Sequence, residues 1–121
     1  MIKNNVLVDK TLAFAIRIVK CYQYLNEQKK EAVMSKQLLR CGTSIGANVH
    51  ESVYAQSRSD FISKLSISLK EASETSYWLT LLNRTEYVDS KVYESMKKDI
   101  DEICRIIIST IKTTKGNEKN E

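Results

Sequence analysis

The stretch that decides the fold is Cys41-Gly42-Thr43-Ser44-Ile45-Gly46-Ala47-Asn48-Val49-His50. Its Gly42-Thr43-Ser44-Ile45-Gly46 core is a literal G-x-S-x-G, and the chain's only histidine follows at position 50. One reading is a serine nucleophile; the other is a helix whose small residues admit a neighbour. A nucleophile elbow requires a strand entering the motif and a helix leaving it, because the strained turn is what exposes the hydroxyl. The residues before it, Ser35 to Cys41, include Lys36, Gln37 and Arg40 and read as helix. Nothing in the chain alternates strand with helix to seat such a turn. His50 stands six residues after Ser44, roughly 600° of helical rotation, on the far side of the same helix. A phosphate-cradling loop would need Lys-Ser or Lys-Thr after the second glycine, where this chain has Ala47-Asn48.

The helical reading has its own demands. From Ser35 to about Ser57, Leu38, Ile45, Val49, Ser52 and Val53 keep a helical step, with Gly42 and Gly46 one turn apart on a neighbouring line. Each glycine inside a helix costs about 1 kcal/mol relative to alanine. Close approach of a second helix offsets that cost, because a missing side chain lets two axes come nearer.

Working outward, residues 60 to 84 carry Ile62, Leu65, Leu69, Ala72, Ser76, Leu79 and Asn83 at alternating steps of three and four, the spacing of a bundle seam. Ser59 or Asp60 is placed to cap that helix. Residues 90 to 114 repeat the pattern with Val92, Met96, Ile100, Ile103, Ile107 and Thr110 behind Asp89 as cap. Residues 10 to 26 form another helix through Leu12, Ala15, Ile16, Val19 and Tyr22. The prediction is an all-α, antiparallel up-down four-helix bundle, one domain over residues 1–121, with helices about 9–28, 33–57, 59–85 and 89–114 and a flexible tail 115–121.

Composition agrees. The 121 residues include no proline and three glycines, which leaves little punctuation for short strands. Cys21, Cys41 and Cys104 are scattered singly without the paired spacing of a zinc site. They read as reduced thiols of a cytoplasmic protein. No run of about eighteen apolar residues is present to span a bilayer, and no secretory leader is expected.

Polar residues supply the candidate sites. Glu71 and Glu74 share a face and suggest either a di-metal centre or partners for a cation. A di-iron bundle needs Glu-x-x-His on the other helices, and the lone His50 precedes Glu51. We therefore expect no metal, no cofactor and no catalytic residue. Arg40 is expected to pair with Glu71 or Glu74, and Lys64 with Asn48 or Glu51, as contacts that set helix register. Residues 1 to 70 hold 11 Lys and Arg against 5 Asp and Glu, whereas residues 71 to 121 hold 8 against 10. That basic half admits RNA as partner, with Arg17, Lys20, Lys36, Arg58 and Lys64 as phosphate contacts. Tyr22, Tyr24 and Tyr54 are candidates to stack on bases.

Three blocks then carry a resemblance: Arg40 to Ser52, Ser59-Asp60-Phe61-Ile62, and Lys70 to Leu79. Together they resemble the bacterial four-helix bundle proteins called 23S rRNA intervening-sequence proteins over roughly residues 8 to 113. Many members carry proline where Gly46 stands. The resemblance implies a bundle that assembles into a ring, commonly a homopentamer, with no assigned catalytic residues. The family is also similar to the accessory protein of diversity-generating retroelements, a pentameric barrel that engages nucleic acid and a reverse transcriptase. Independently, Ile106-Ile107-Ile108 cannot all face one core, and Tyr77, Trp78 and Leu81 widen an apolar face. The expected function is a non-enzymatic oligomeric interaction module with RNA or a nucleoprotein as partner. The alternatives are a protein-binding scaffold, and an enzyme or cofactor binder using Glu71, Glu74, Glu51 and His50 at a subunit junction.

Overall fold

The computed structural model describes residues 6–119, with side chains through residue 116. Four helices follow one another: α1 (Val6–Glu27), α2 (Val33–Ser52), α3 (Arg58–Arg84) and α4 (Ser90–Lys119). Among the described residues there is no strand.

Side-chain contacts establish the topology. Thr11 and Ile18 of α1 lie against Gly46 and Gly42 of α2. Ser68 of α3 donates to the Ile45 carbonyl at 2.8 Å, and Thr80 of α3 bonds Tyr93 of α4 at 2.8 Å. Arg17 of α1 donates to Asp99 of α4 at 2.6 Å. Each helix therefore runs antiparallel to its neighbours in the order α1-α2-α3-α4, and α4 returns beside α1. The α1–α4 contact is the loosest of the four.

The core is a single cluster built from Leu7, Phe14, Ile18 and Leu25 of α1, Leu38, Ile45 and Val49 of α2, Phe61, Leu65, Ala72, Leu79 and Leu82 of α3, and Met96, Ile100, Ile103 and Ile107 of α4. For α2 and α4 the periodic residues read from sequence point inward, apart from Val53, which lies beyond α2, and Val92, both exposed, and the half-buried Thr110. In α3 the buried face is turned by one position, with Phe61, Ser68 and Thr75 inside and Ile62, Leu69, Ser76 and Asn83 half-buried. The α1 expectation is overturned. Its inward line is Leu7, Thr11, Phe14, Ile18 and Leu25, while Leu12, Ile16 and Val19 face out.

The helix ends also differ from the sequence reading, for local reasons. The last turn of α2 tightens: the Val53, Tyr54 and Ala55 amides donate to the carbonyls three residues back. That 3₁₀ spacing closes the helix at Ser52 rather than 57. The cap of α3 is Ser57, whose hydroxyl accepts from the Asp60 amide at 3.0 Å, while Asp60 accepts from the Gln56 amide. Asp89 caps α4 as expected, accepting from the Val92 amide at 2.8 Å. Glu31, unnoticed in the sequence, turns its buried carboxylate onto the Val33, Met34 and Ser35 amides and closes the start of α2. Lys30 (φ 55°) and Glu86 (φ 68°) hold the left-handed positions after α1 and α3, where glycine commonly stands. The α4 backbone continues as helix through Lys119, past the predicted tail boundary; residues 120 and 121 of that tail lie outside the described residues.

The two glycines of the opening motif make different contacts. A Cβ on Gly42 would lie 2.7 to 2.8 Å from three atoms of the fully buried Ile18 side chain. On Gly46 it would sit 3.2 Å from the Thr11 carbonyl oxygen. Overpacking of that kind costs about 1–3 kcal/mol, against a helix-propensity gain of about 1 kcal/mol. Gly42→Ala should therefore destabilise the chain by a net of up to ~2 kcal/mol, and Gly46→Ala should be close to neutral, both read from urea unfolding midpoints. A stabilised Gly42→Ala variant would contradict the packing argument.

Candidate interaction site

Ser44 lies mid-helix, and its hydroxyl donates to the Arg40 carbonyl at 2.6 Å, one turn back. Its proton is thereby engaged with its own backbone. His50 is exposed and meets Tyr54 edge-on at 5.6 Å between ring centroids. The two residues of the apparent elbow do not meet.

The Arg40 guanidinium bridges two carboxylates of α3, reaching Glu71 at 3.4 Å and making a short ion pair with Glu74. Lys64 approaches Glu51 at 3.8 Å. Asn48 does not join it; its side-chain amide donates to the Ser44 carbonyl at 2.9 Å, within α2. The two polar contacts stand apart: Arg40 and Glu51 are eleven residues apart on α2, about 16 Å along the axis. Glu71, Glu74, Glu51 and His50 therefore form no common cluster. Among the described residues no three of His, Cys, Asp or Glu gather where they could hold a metal ion.

The five candidate phosphate contacts are dispersed. Arg17 is tied to Asp99 and Lys64 to Glu51. Lys20 and Lys36 are exposed on different helices, and Arg58 begins α3 at the opposite end of the bundle from Lys36. Tyr24 and Tyr54 are exposed and Tyr22 is half-buried.

What the fold does gather is apolar. Leu12, Ile16 and Val19 are 59%, 50% and 39% exposed on the outward face of α1. The half-buried Val8 and Ala15 continue the same face toward α2. There Leu12, Ala15, Thr43 and Ala47 line a groove of about 390 Å³ that ends at His50 and Glu51. By spacing alone, Leu12, Ile16 and Val19 read as the apolar line of this helix that would face a core. The signal that would have turned it outward is Gly42, whose bare backbone needs a large residue opposite, and Ile18 provides it.

The bundle also matches known proteins. The family model for 23S rRNA-intervening sequence protein covers residues 3–109. The chain belongs to that family. A crystal structure of a protein with unknown function from the S23 ribosomal protein family of Bacteroides thetaiotaomicron VPI-5482 has 59% identity to it. The match covers 88% of this chain and 99% of that one, with a TM-score of 0.87. Among curated proteins none matches. Among the described residues of this intervening-sequence family member, no helix is long and apolar enough to cross a membrane.

The thiols give a pH handle on the core. Burial pushes the Cys41 thiol up to about 11, partly offset by a hydrogen bond with Thr75; burial raises Cys21 and Cys104 as well. A group held protonated by folding contributes stability that is complete below its unfolded pKa, about 8.5 for a thiol, and lost as pH rises through the folded value. The melting temperature should fall from about pH 8.5 toward pH 11. Cys41→Ala should flatten that fall by on the order of 1–2 kcal/mol, measured as the difference between melts at pH 8 and pH 10.5. Equal slopes in the two proteins would count against a protonated, buried Cys41.

Arg40 is half-exposed, so its ion pairs are worth about 0–1 kcal/mol. Arg40→Met should lower stability by less than ~1 kcal/mol, more in low salt than in high, because it leaves Glu71 and Glu74 facing each other. Urea unfolding at two ionic strengths reads this, and a salt-independent change would reassign the effect to packing.

Proposed function

We propose that the chain is a non-enzymatic interaction module that works as a closed homo-oligomer, with the outward face of α1 as its subunit contact. The observation that carries this reading is the stripe of Leu12, Ile16 and Val19 beside the small-residue groove of α1 and α2. Burying a large aliphatic side chain fully is worth about 1.5–3 kcal/mol, and a contiguous exposed apolar face of this kind marks an association site. The face is narrow and asymmetric: large residues stand on α1 and small ones on α2. A contact of that shape suits two different patches meeting head to tail, the arrangement that generates rings. The resemblance noted above favours five subunits.

The support for RNA is thinner. Of the five cations named from sequence, Arg17 and Lys64 face acidic side chains, and Lys20, Lys36 and Arg58 stand on three different helices. The ring is therefore read first as a platform for a protein partner, with RNA as an outcome that binding measurements can establish.

Ile16→Glu, alone and with Leu12→Glu, should reduce the solution mass toward that of one chain by light scattering, with helical content unchanged. Wild-type protein that is already monomeric at about 50 µM, or an Ile16→Glu ring of undiminished mass, would overturn the proposed contact. Fluorescent RNA titrated at 50 mM and 200 mM salt separates the partner classes. Tight binding that weakens steeply with salt assigns the ring to RNA, and none at 50 mM leaves the protein platform.

A further inference from the structure

On the opposite side of α1 from the apolar stripe, the bundle is open. Where α1 meets α2, glycines bring the backbones together; α1 and α4 meet more loosely. The gap is bridged by the Arg17–Asp99 and Lys10–Glu102 ion pairs. Beyond the Arg17 bridge the seam widens into a cleft of about 340 Å³. Cys21, Val88, Val92 and Met96 contribute its apolar surface, and Tyr24 stands at its edge. Val88 and Met96 are almost completely buried, whereas Val92 is 40% exposed at the mouth. Concave, mostly apolar clefts of this size between helices, with a few polar groups converging on them, are the usual form of a small-molecule site.

The charges around the cleft are not equivalent. The Arg17 guanidinium is held by Asp99 at 2.6 Å, and Asp89 is engaged with the first turn of α4 through the Val92 amide. Lys20 is exposed and takes no acidic partner among the described residues. Burial keeps the Cys21 thiol protonated at neutral pH, which adds no charge of its own. The cleft thus offers an apolar interior and one uncommitted cation at its rim.

We infer that the α1–α4 cleft binds a small amphipathic monoanion, a carboxylate with an unbranched apolar body, whose chain lies over Val92 and Met96 and whose head meets Lys20. At about 30 Å³ per water-sized group, the volume accommodates about ten such groups, the size of a medium-chain fatty acid. The site is independent of the self-association reading, because it uses the other flank of α1.

The test uses octanoate, octylamine and octanol as probes of the full chain, by isothermal titration calorimetry and thermal shift. Octanoate should bind saturably at one site per chain and raise the melting temperature, at least tenfold more tightly than octylamine or octanol. Lys20→Met should weaken octanoate at least fivefold and bring it level with octanol. Val92→Trp, which fills the mouth from an exposed position, should abolish binding while leaving helical content and solution mass unchanged. Equal affinity for the three probes, no saturable octanoate binding, or undiminished binding by Val92→Trp would overturn the inference. A Val92→Trp protein of reduced solution mass in the absence of octanoate binding would instead mark the cleft as a subunit contact, and the ligand site would fall. Ile16→Glu, measured separately, reports on the α1 stripe alone.

Discussion

The contact on which the rest of the structure depends is the one between the side-chain-free backbone of α2 and two residues of α1. Gly42 receives Ile18, and Gly46 lies beneath the Thr11 carbonyl. A helix has only one rotation about its axis that puts positions 11 and 18 against the same neighbour. Once α1 is held in that rotation, Leu7, Phe14 and Leu25 turn into the core and Leu12, Ile16 and Val19 must turn out. The exposed stripe is thus a consequence of the glycine contact, since both faces of α1 are apolar enough to have been buried. A packing choice on the inside determines which surface is left for association.

Polar contacts set the helices in register more than they hold them together. Ser68 to Ile45, Arg40 to Glu71 and Glu74, and Lys64 to Glu51 tie α3 to α2 at successive heights. Exposed ion pairs of this kind contribute little to stability, but a slip of one turn would break all of them together. The buried hydrogen bond is different. A serine hydroxyl paired with a helix carbonyl at Ser68 is satisfied only in one alignment, and an unsatisfied one costs about 1–3 kcal/mol. The α1–α4 seam has no glycine contact like that of α1 with α2; Ala13 and Phe14 of α1 and Ile103 of α4 line a gap there beside the Lys10–Glu102 and Arg17–Asp99 ion pairs. The two helices meet loosely, and the cleft opens between them near Cys21 and Val92.

The fold was legible because it rests on periodicity. Leu65, Ala72 and Leu79, Leu38, Ile45 and Val49, and Met96, Ile100, Ile103 and Ile107 are buried where the spacing placed them. The Arg40 bridge was legible too, since one cation and two carboxylates sharing a face have few alternatives. The rotation of α1 was not, because two apolar lines run along it and spacing alone assigns neither to the core. Nor was the Glu31 cap, which sits outside the short Ser, Thr, Asp and Asn set that sequence rules search at helix starts. Asn48 illustrates a third limit. A side chain that can bond its own backbone one turn back does so before reaching across to Lys64.

The apparent nucleophile elbow shows why a motif carries chemistry only in its backbone setting. The G-x-S-x-G pattern in a hydrolase reports a turn so tight that glycines are required on both sides of the serine. Here the same two glycines flank Ser44 inside a regular helix, for a reason that concerns the neighbouring helix. Gly42 and Gly46 are four residues apart and therefore lie on one face, toward α1, as a helix contact requires. Ser44, midway between them, is turned well away from that face and bonds the Arg40 carbonyl. Spacing that is sequential in one architecture is facial in the other. An elbow's serine is exposed by its strained turn; without that turn, Ser44 remains a helical residue whose hydroxyl is held by its own backbone.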